Sequence, residues 1–169
     1  GTIAFEAKNF ERAAEYFNRT ILIVPDLEQA YYDLAAAHLN ANKGGEALAV
    51  LDRARERFRE SFIGEFYSAL ALQQQKRYGD AIRHLTTAEV IAKATDPKRL
   101  DHRFYFQLGA CHERNRDYES AAKAFRQALA LNPEDADALN YLGYMWAEQG
   151  VNLEEARVLI ERALKIEPE

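Results

Sequence analysis

Four histidines and one cysteine are the side chains of this 169-residue chain best suited to nucleophilic, acid–base or metal chemistry: His38, His84, His102, His112 and Cys111. The adjacency of Cys111 and His112 invites two readings, a thiol activated by a base and a pair of soft metal ligands. A catalytic thiol needs its base within hydrogen-bond reach and a third group to orient that base, yet neighbours on a helix point about 100° apart. A zinc site needs further ligands at short spacing, and the chain holds no second Cys/His pair of that kind. Cys111 therefore reads as a small buried apolar residue. His38 and His112 read as half-buried packing residues, each with one ring nitrogen satisfied locally. No glycine-rich phosphate cradle occurs, and Gly44-Gly45 reads as a turn between helices. The carboxylates lie among Lys and Arg, the pattern of solvated helix faces. The expectation is a non-enzymatic chain without catalytic residues, metal or cofactor.

Composition narrows the partners. The chain is 48% apolar and 29% charged with a net charge of -5, a globular composition whose acidic balance argues against nucleic acid, since phosphate tracking rests on clustered Lys and Arg. No apolar run approaches the roughly eighteen residues of a membrane span, so no direct membrane insertion is expected within these residues. A lone cysteine leaves the fold to packing and suits a reducing compartment without excluding a periplasm, so the compartment stays open. The chain opens on Gly1, and its native N-terminus is expected to be missing.

The elements that would position any site are announced by a repeat. Ala13, Ala47, Ala81, Ala121 and Ala156 follow one another at 34, 34, 40 and 35 residues, and a second small residue trails each by seven: Thr20, Ala54, Ala88, Ala128 and Ala163. Two registers in lockstep mean one supersecondary unit copied along the chain. Within a copy, apolar residues fall at helical spacing in two segments around a short polar break. Tyr105, Leu108, Gly109 and His112 are followed by Asn115-Arg116-Asp117, then by Ala121, Phe125 and Ala128, with Pro133 as the stop. Helices joined by so short a turn must cross closely, and alanine or glycine at the crossing lets the backbones approach.

This pattern, with its fifth version Leu139, Leu142, Gly143, Trp146, Ala156, Ile160, Ala163 and Pro168, resembles the tetratricopeptide repeat. The resemblance covers the whole chain. It implies an all-α fold, a right-handed α-solenoid of antiparallel helix-turn-helix repeats, divided as a partial copy 1–27 and copies 28–61, 62–101, 102–135 and 136–169. Gly1 stands where the family has a mid-helix glycine, and no polar capping helix follows Pro168. The chain is accordingly expected to be a fragment of a longer array, or one whose ends pair with another chain. The second copy has Arg59 in place of the terminal proline. The third puts Glu65 and Ser68 where large apolar residues belong. Six extra residues around Lys93–Leu100 separate the third and fourth copies, and Asp96-Pro97 there predicts an N-cap and first helical residue, giving the fourth pair a first helix one to two turns longer than usual. The Leu-, Ala- and Glu-rich fifth copy is similar to repeats of bacterial members.

In that family the first helix of each pair lines the inside of the curve. The resemblance then assigns a peptide-binding face to Tyr32, Asn40, Phe66, Tyr67, Gln74, Arg103, Phe106, Gln107, Arg114, Asn140, Tyr141 and Tyr144. Six of these are aromatic, an exposed apolar patch of the kind that marks interaction sites, or else a thickening of the repeat core. One subclass clamps a C-terminal carboxylate with Lys, Asn and Arg. Here the matching positions hold Tyr32, Asp33, Ala36, Tyr67, Arg103 and Gln107, and only Arg103 and Arg114 offer a cation. A mixed aromatic and polar groove for an extended segment or amphipathic helix is the better expectation. The function expected is thus a protein-interaction scaffold with a protein or peptide partner. The alternatives are an assembly module that self-associates through its ends and a regulatory array attached to a catalytic domain outside this chain.

Overall fold

The computed structural model describes residues 1–167. Pro168, expected to close the fifth copy, lies outside the described residues. Ten α-helices run in the order α1 Thr2–Glu6, α2 Phe10–Ile23, α3 Glu28–Asn40, α4 Gly44–Arg57, α5 Phe62–Gln74, α6 Tyr78–Thr95, α7 His102–Arg114, α8 Tyr118–Leu131, α9 Ala136–Gln149 and α10 Leu153–Ile166, with a 3-10 turn Pro97–Arg99 between α6 and α7. No strand occurs among the described residues. The chain forms two compact units, Gly1–Ile91 and a second from Ala92 onward. In the first, α2 packs on α1 and α3, and α3 on α4 and α5; in the second, α7 packs on α8 and α9, and α9 on α10. The fold class expected from the repeat, an all-α array of helix hairpins, is the one observed.

The hairpins are built by the same devices in each copy. Ala13, Ala47, Ala81 and Ala121 are fully buried and Ala156 is 1% exposed, so every crossing alanine does lie between helices. Beside it a large residue of the second helix fills the notch left by a small one on the first. A Cβ on Gly109 would stand 2.7 Å from the Phe125 ring, and one on Gly143 would stand 2.7 Å from Ile160 Cγ1. Gly1 meets Phe17 in the same way.

The turns repeat as closely as the crossings. The turn within each hairpin has a residue in the left-handed conformation at the end of its first helix, Lys8, Asn42, Lys76, Arg116 or Gly150, and in the fifth hairpin Asn152 adopts it as well. At the end of each first helix the left-handed amide bonds back to a carbonyl of that helix, and the next amide reaches one residue further back, as in Lys76 N to Gln73 O and Arg77 N to Leu72 O. That is the Schellman arrangement, held in four of five cases without glycine. Asn9, Ser61, Asp101, Asp117 and Asp135 then cap the helices that follow, each accepting a bond from a backbone amide three residues on.

Two expectations are corrected. Gly44-Gly45 is not a turn but the first residues of α4. The missing side chain at Gly44 serves packing, since a Cβ there would approach Ala71 O to 2.7 Å and Gln74 Cβ to 3.0 Å. Four of the six extra residues lengthen α6, which has 18 residues where α4 and α8 have 14, and the other two fall in the connection to α7, which keeps the 13 of α3 and α5. Asp96-Pro97 opens the 3-10 turn instead of α7, because Asp96 spends its carboxylate on Arg99 and makes no cap bond, whereas Asp101 Oδ1 accepts from Phe104 N at 3.0 Å.

Substituting Ala121→Leu, at a crossing with no exposed surface, is expected to overpack the second unit and cost about 1–3 kcal/mol. Urea unfolding reads this as a lowered midpoint. An unchanged midpoint would place the crossing elsewhere.

Candidate functional site

The histidines and the cysteine are held by packing. Cys111 is 1% exposed on α7, and burial pushes its thiol up to about 12, far from the thiolate that nucleophilic chemistry requires. His112 Nδ1 lies 3.1 Å from Asp117 Oδ2, on the residue that caps α8. His102 Nδ1 lies 2.7 Å from Asp135 Oδ2, so the cap of α9 is steadied by a ring one hairpin earlier. His38 is driven toward its neutral form, first by burial.

A polar cluster that spacing alone did not reveal occupies the third copy. Glu65 and Ser68, which interrupt the apolar register, are both buried, Glu65 at 4% exposure. They are compensated from the flanking helices. His84 Nδ1 of α6 lies 2.6 Å from Glu65 Oε2, and the Arg55 guanidinium of α4 lies 3.5 Å from Glu65 Oε1 and donates to Ser68 Oγ at 3.2 Å. Ser68 in turn donates to Gly64 O at 2.8 Å. Serine, histidine and glutamate meet here without a catalytic arrangement, because the serine hydroxyl is spent on its own helix. The crevice beside Glu65, lined by Tyr32, Ser61 and Gly64 among others, measures about 10 Å³, room for roughly one water. The only signal for this cluster in the sequence is the pair of polar residues at apolar positions.

The twelve residues assigned to the binding face divide by what packing asks of them. In the first unit, Tyr32 is a correction to the expected exposure. It is 6% exposed, its hydroxyl donates to Glu28 Oε1 at 2.7 Å and lies 2.7 Å from Ser61 Oγ, and burial pushes it up to about 12. It ties α3 to the start of α5. Gln74 donates to Leu39 O at 2.9 Å across the same two hairpins, and Asn40 donates to Ala36 O within its own helix. Phe66 is half-buried and stacked on Phe62 with centroids 5.7 Å apart. Tyr67 is left beside open space. With Thr2, Phe5, Phe17, Asp33 and Ala36 it lines a cleft of about 200 Å³.

In the second unit, Phe106 and Tyr141 are half-buried and meet edge-to-face with centroids 5.2 Å apart, both resting on Phe125 at 5.9 Å. They thicken the core and present one side to solvent. Gln107 and Asn140 are half-buried, Arg103 and Arg114 are exposed, and Tyr144 is 53% exposed. Arg114 Nε lies 3.4 Å from Glu113 Oε2. Among the described residues no group of His, Cys, Asp and Glu could hold a metal ion, and no helix is long and apolar enough to cross a membrane.

Two family models, each described as a tetratricopeptide repeat, match residues 4–71 and 106–169, which together make up well over half of the chain. A TPR repeat-containing protein of Methanocaldococcus jannaschii, MJ1428, is 23% identical over 98% of this chain. The human RANBP2-like and GRIP domain-containing protein 8 is 28% identical over 65% of it. The chain spans only 30% and 6% of those two relatives. Among solved structures, a MamA double mutant superposes with a TM-score of 0.85 at 19% identity, covering 98% of this chain and 89% of that one. YrrB, described as a TPR protein with an unusual peptide-binding site, superposes with a TM-score of 0.77 at 20% identity, covering 99% of this chain and 83% of that one.

Two outcomes follow from the buried groups. Cys111 in the folded chain is expected to resist iodoacetamide at pH 8 and to react at the rate of a free thiol in urea; equal rates in both states would contradict its burial. Glu65→Ala leaves the Arg55 guanidinium and the His84 ring facing a gap and should cost about 3–5 kcal/mol, while the combined Arg55→Met, Glu65→Leu, His84→Leu replacement should recover most of that loss. Equilibrium unfolding in urea measures both, and a harmless Glu65→Ala would show that the cluster contributes nothing.

Proposed function

Because the chain belongs to the tetratricopeptide-repeat family, we propose that it is a protein-interaction scaffold which holds an extended peptide or an amphipathic helix along the first helices of its hairpins. The observation that carries this reading is the division within those helices. Tyr32 and Gln74 are consumed by ties between hairpins, whereas Tyr67 borders an open cleft and Tyr144 keeps half of its surface in solvent. Large, rigid aromatic side chains left over after packing are the usual anchors of a bound partner. Arg103, Gln107 and Arg114 on α7 and Asn140 on α9 supply the polar groups that would fix the direction of a peptide. The description of YrrB as peptide-binding supports the same use of this fold.

A second reading is favoured by α10, on which Leu153 and Leu164, 56% and 47% exposed, lie on one side of the helix. An apolar face of that kind fits association with another copy. Sedimentation velocity over a wide concentration range tests it, a constant monomeric coefficient counting against it.

Panning a displayed peptide library on the immobilised chain tests the receptor reading. Selected peptides should bind the Tyr67→Ala or the Tyr144→Ala variant about tenfold or more weakly, the loss of roughly 1.4 kcal/mol typical of an aromatic anchor, while both variants melt with the parent. A library that enriches nothing beyond a folded control would refute it.

A further inference from the structure

The cleft of the first unit has a chemistry more specific than aromatic contact. Its walls are the rings of Phe5, Phe17 and Tyr67 with the small residues Thr2 and Ala36, and its single charged group is Asp33. No lysine or arginine lines it. Asp33 Oδ1 accepts from Gln29 Nε2 at 2.8 Å, and among the described residues the carboxylate has no ion-pair partner. The Tyr67 hydroxyl likewise has no hydrogen-bond partner there. Burial first and the Asp33 carboxylate second push the Tyr67 phenol above its ordinary value, which keeps it protonated and places the carboxylate close enough to be felt. At about 200 Å³ the cleft is smaller than the roughly 300–1,000 Å³ of sites that take small-molecule ligands, and its scale is that of a long side chain.

From this juxtaposition we infer that the cleft is a receptor for one cationic side chain, lysine or arginine, of the bound segment. The aliphatic stem lies against Phe5, Phe17 and Ala36, where such stems are readily buried. The charged head donates to Asp33 and to the Tyr67 oxygen and faces the Tyr67 ring. Anion recognition is excluded by the same lining, since a carboxylate or phosphate would meet Asp33 with no donor cation beside it. The net charge of -5 favours the approach of a basic segment to the chain. The inference rests on the peptide-receptor reading for the source of its ligand and adds to it the identity of one anchor.

Titration of the ¹⁵N-labelled chain with N-acetyl-lysine amide, N-acetyl-norleucine amide and N-acetyl-glutamate amide decides the matter. Norleucine keeps the stem and removes the charge. The lysine amide should shift the backbone signals of Asp33, Ala36 and Tyr67 and bind about tenfold more tightly than the norleucine amide, with the preference shrinking at high salt. Asp33→Asn should abolish the preference without disturbing the rest of the spectrum, and Ala36→Leu should block both ligands by filling the cleft. Equal binding of lysine and norleucine amides, shifts confined to other residues, or an Asp33→Asn chain that still prefers lysine would each overturn the inference. Library peptides that bind tightly without any basic residue would overturn it and spare the receptor reading. An empty library screen beside a positive lysine titration would support the cation site and remove the receptor reading alone.

Discussion

Two helices joined by a turn of a few residues can bury their apolar stripes only if their backbones come close, and that demand governs everything else in this chain. The crossing points are occupied by alanines with essentially no exposed surface, and the adjoining notches at Gly109 and Gly143 admit a ring or branched chain at a distance no Cβ would tolerate. A hairpin tightened in this way still cannot hide its apolar surface alone, so within each unit neighbouring hairpins lean on one another and share stability.

Polar ties fasten successive hairpins, and several span about one repeat length. Tyr32 reaches Ser61, Gln74 reaches Leu39 O, Arg57 reaches Asp26, His102 reaches Asp135 and Arg162 reaches Pro133 O. Most join a helix to the turn or cap of a neighbouring copy, where backbone groups lack partners. The cluster of Arg55, Glu65, Ser68 and His84 belongs to the same class but lies deeper. Burying its charges is costly unless every one is paired, and the pairing fixes how α4, α5 and α6 meet more narrowly than apolar contact would.

The same economy explains why the inner residues are unequal. Side chains at equivalent helix positions were expected to share one fate, exposure on a binding face. Tyr32 escapes it because Ser61, the N-cap of the following helix, stands within reach of its hydroxyl. Phe106 and Tyr141 are drawn halfway into the core by the ring of Phe125, which Gly109 lets approach. Tyr67 and Asp33 remain available because the small residues around them, Ala36 and Thr2, leave space unfilled.

Much of the fold was legible beforehand because the crossing requirement is local and steric. Small residues at a fixed interval, flanked by helical stripes, admit few other arrangements, and the resemblance to a known repeat rests on those same residues. Where two local signals competed, reading failed. Gly44-Gly45 looks like a turn until Ala71 and Gln74 are seen to need the room, and Asp96-Pro97 looks like a helix start until Asp101 is found making the cap bond. The candidate site was legible as a set of positions but not as a surface. Exposure depends on which neighbour lies across the gap, and hydrogen-bond partners about thirty residues away are set by how the helices pack, which periodicity does not specify. Residue types and spacing therefore determined the hairpin and its copying, whereas tertiary packing alone decided which aromatic and charged side chains were spent on holding hairpins together and which were left open to a partner.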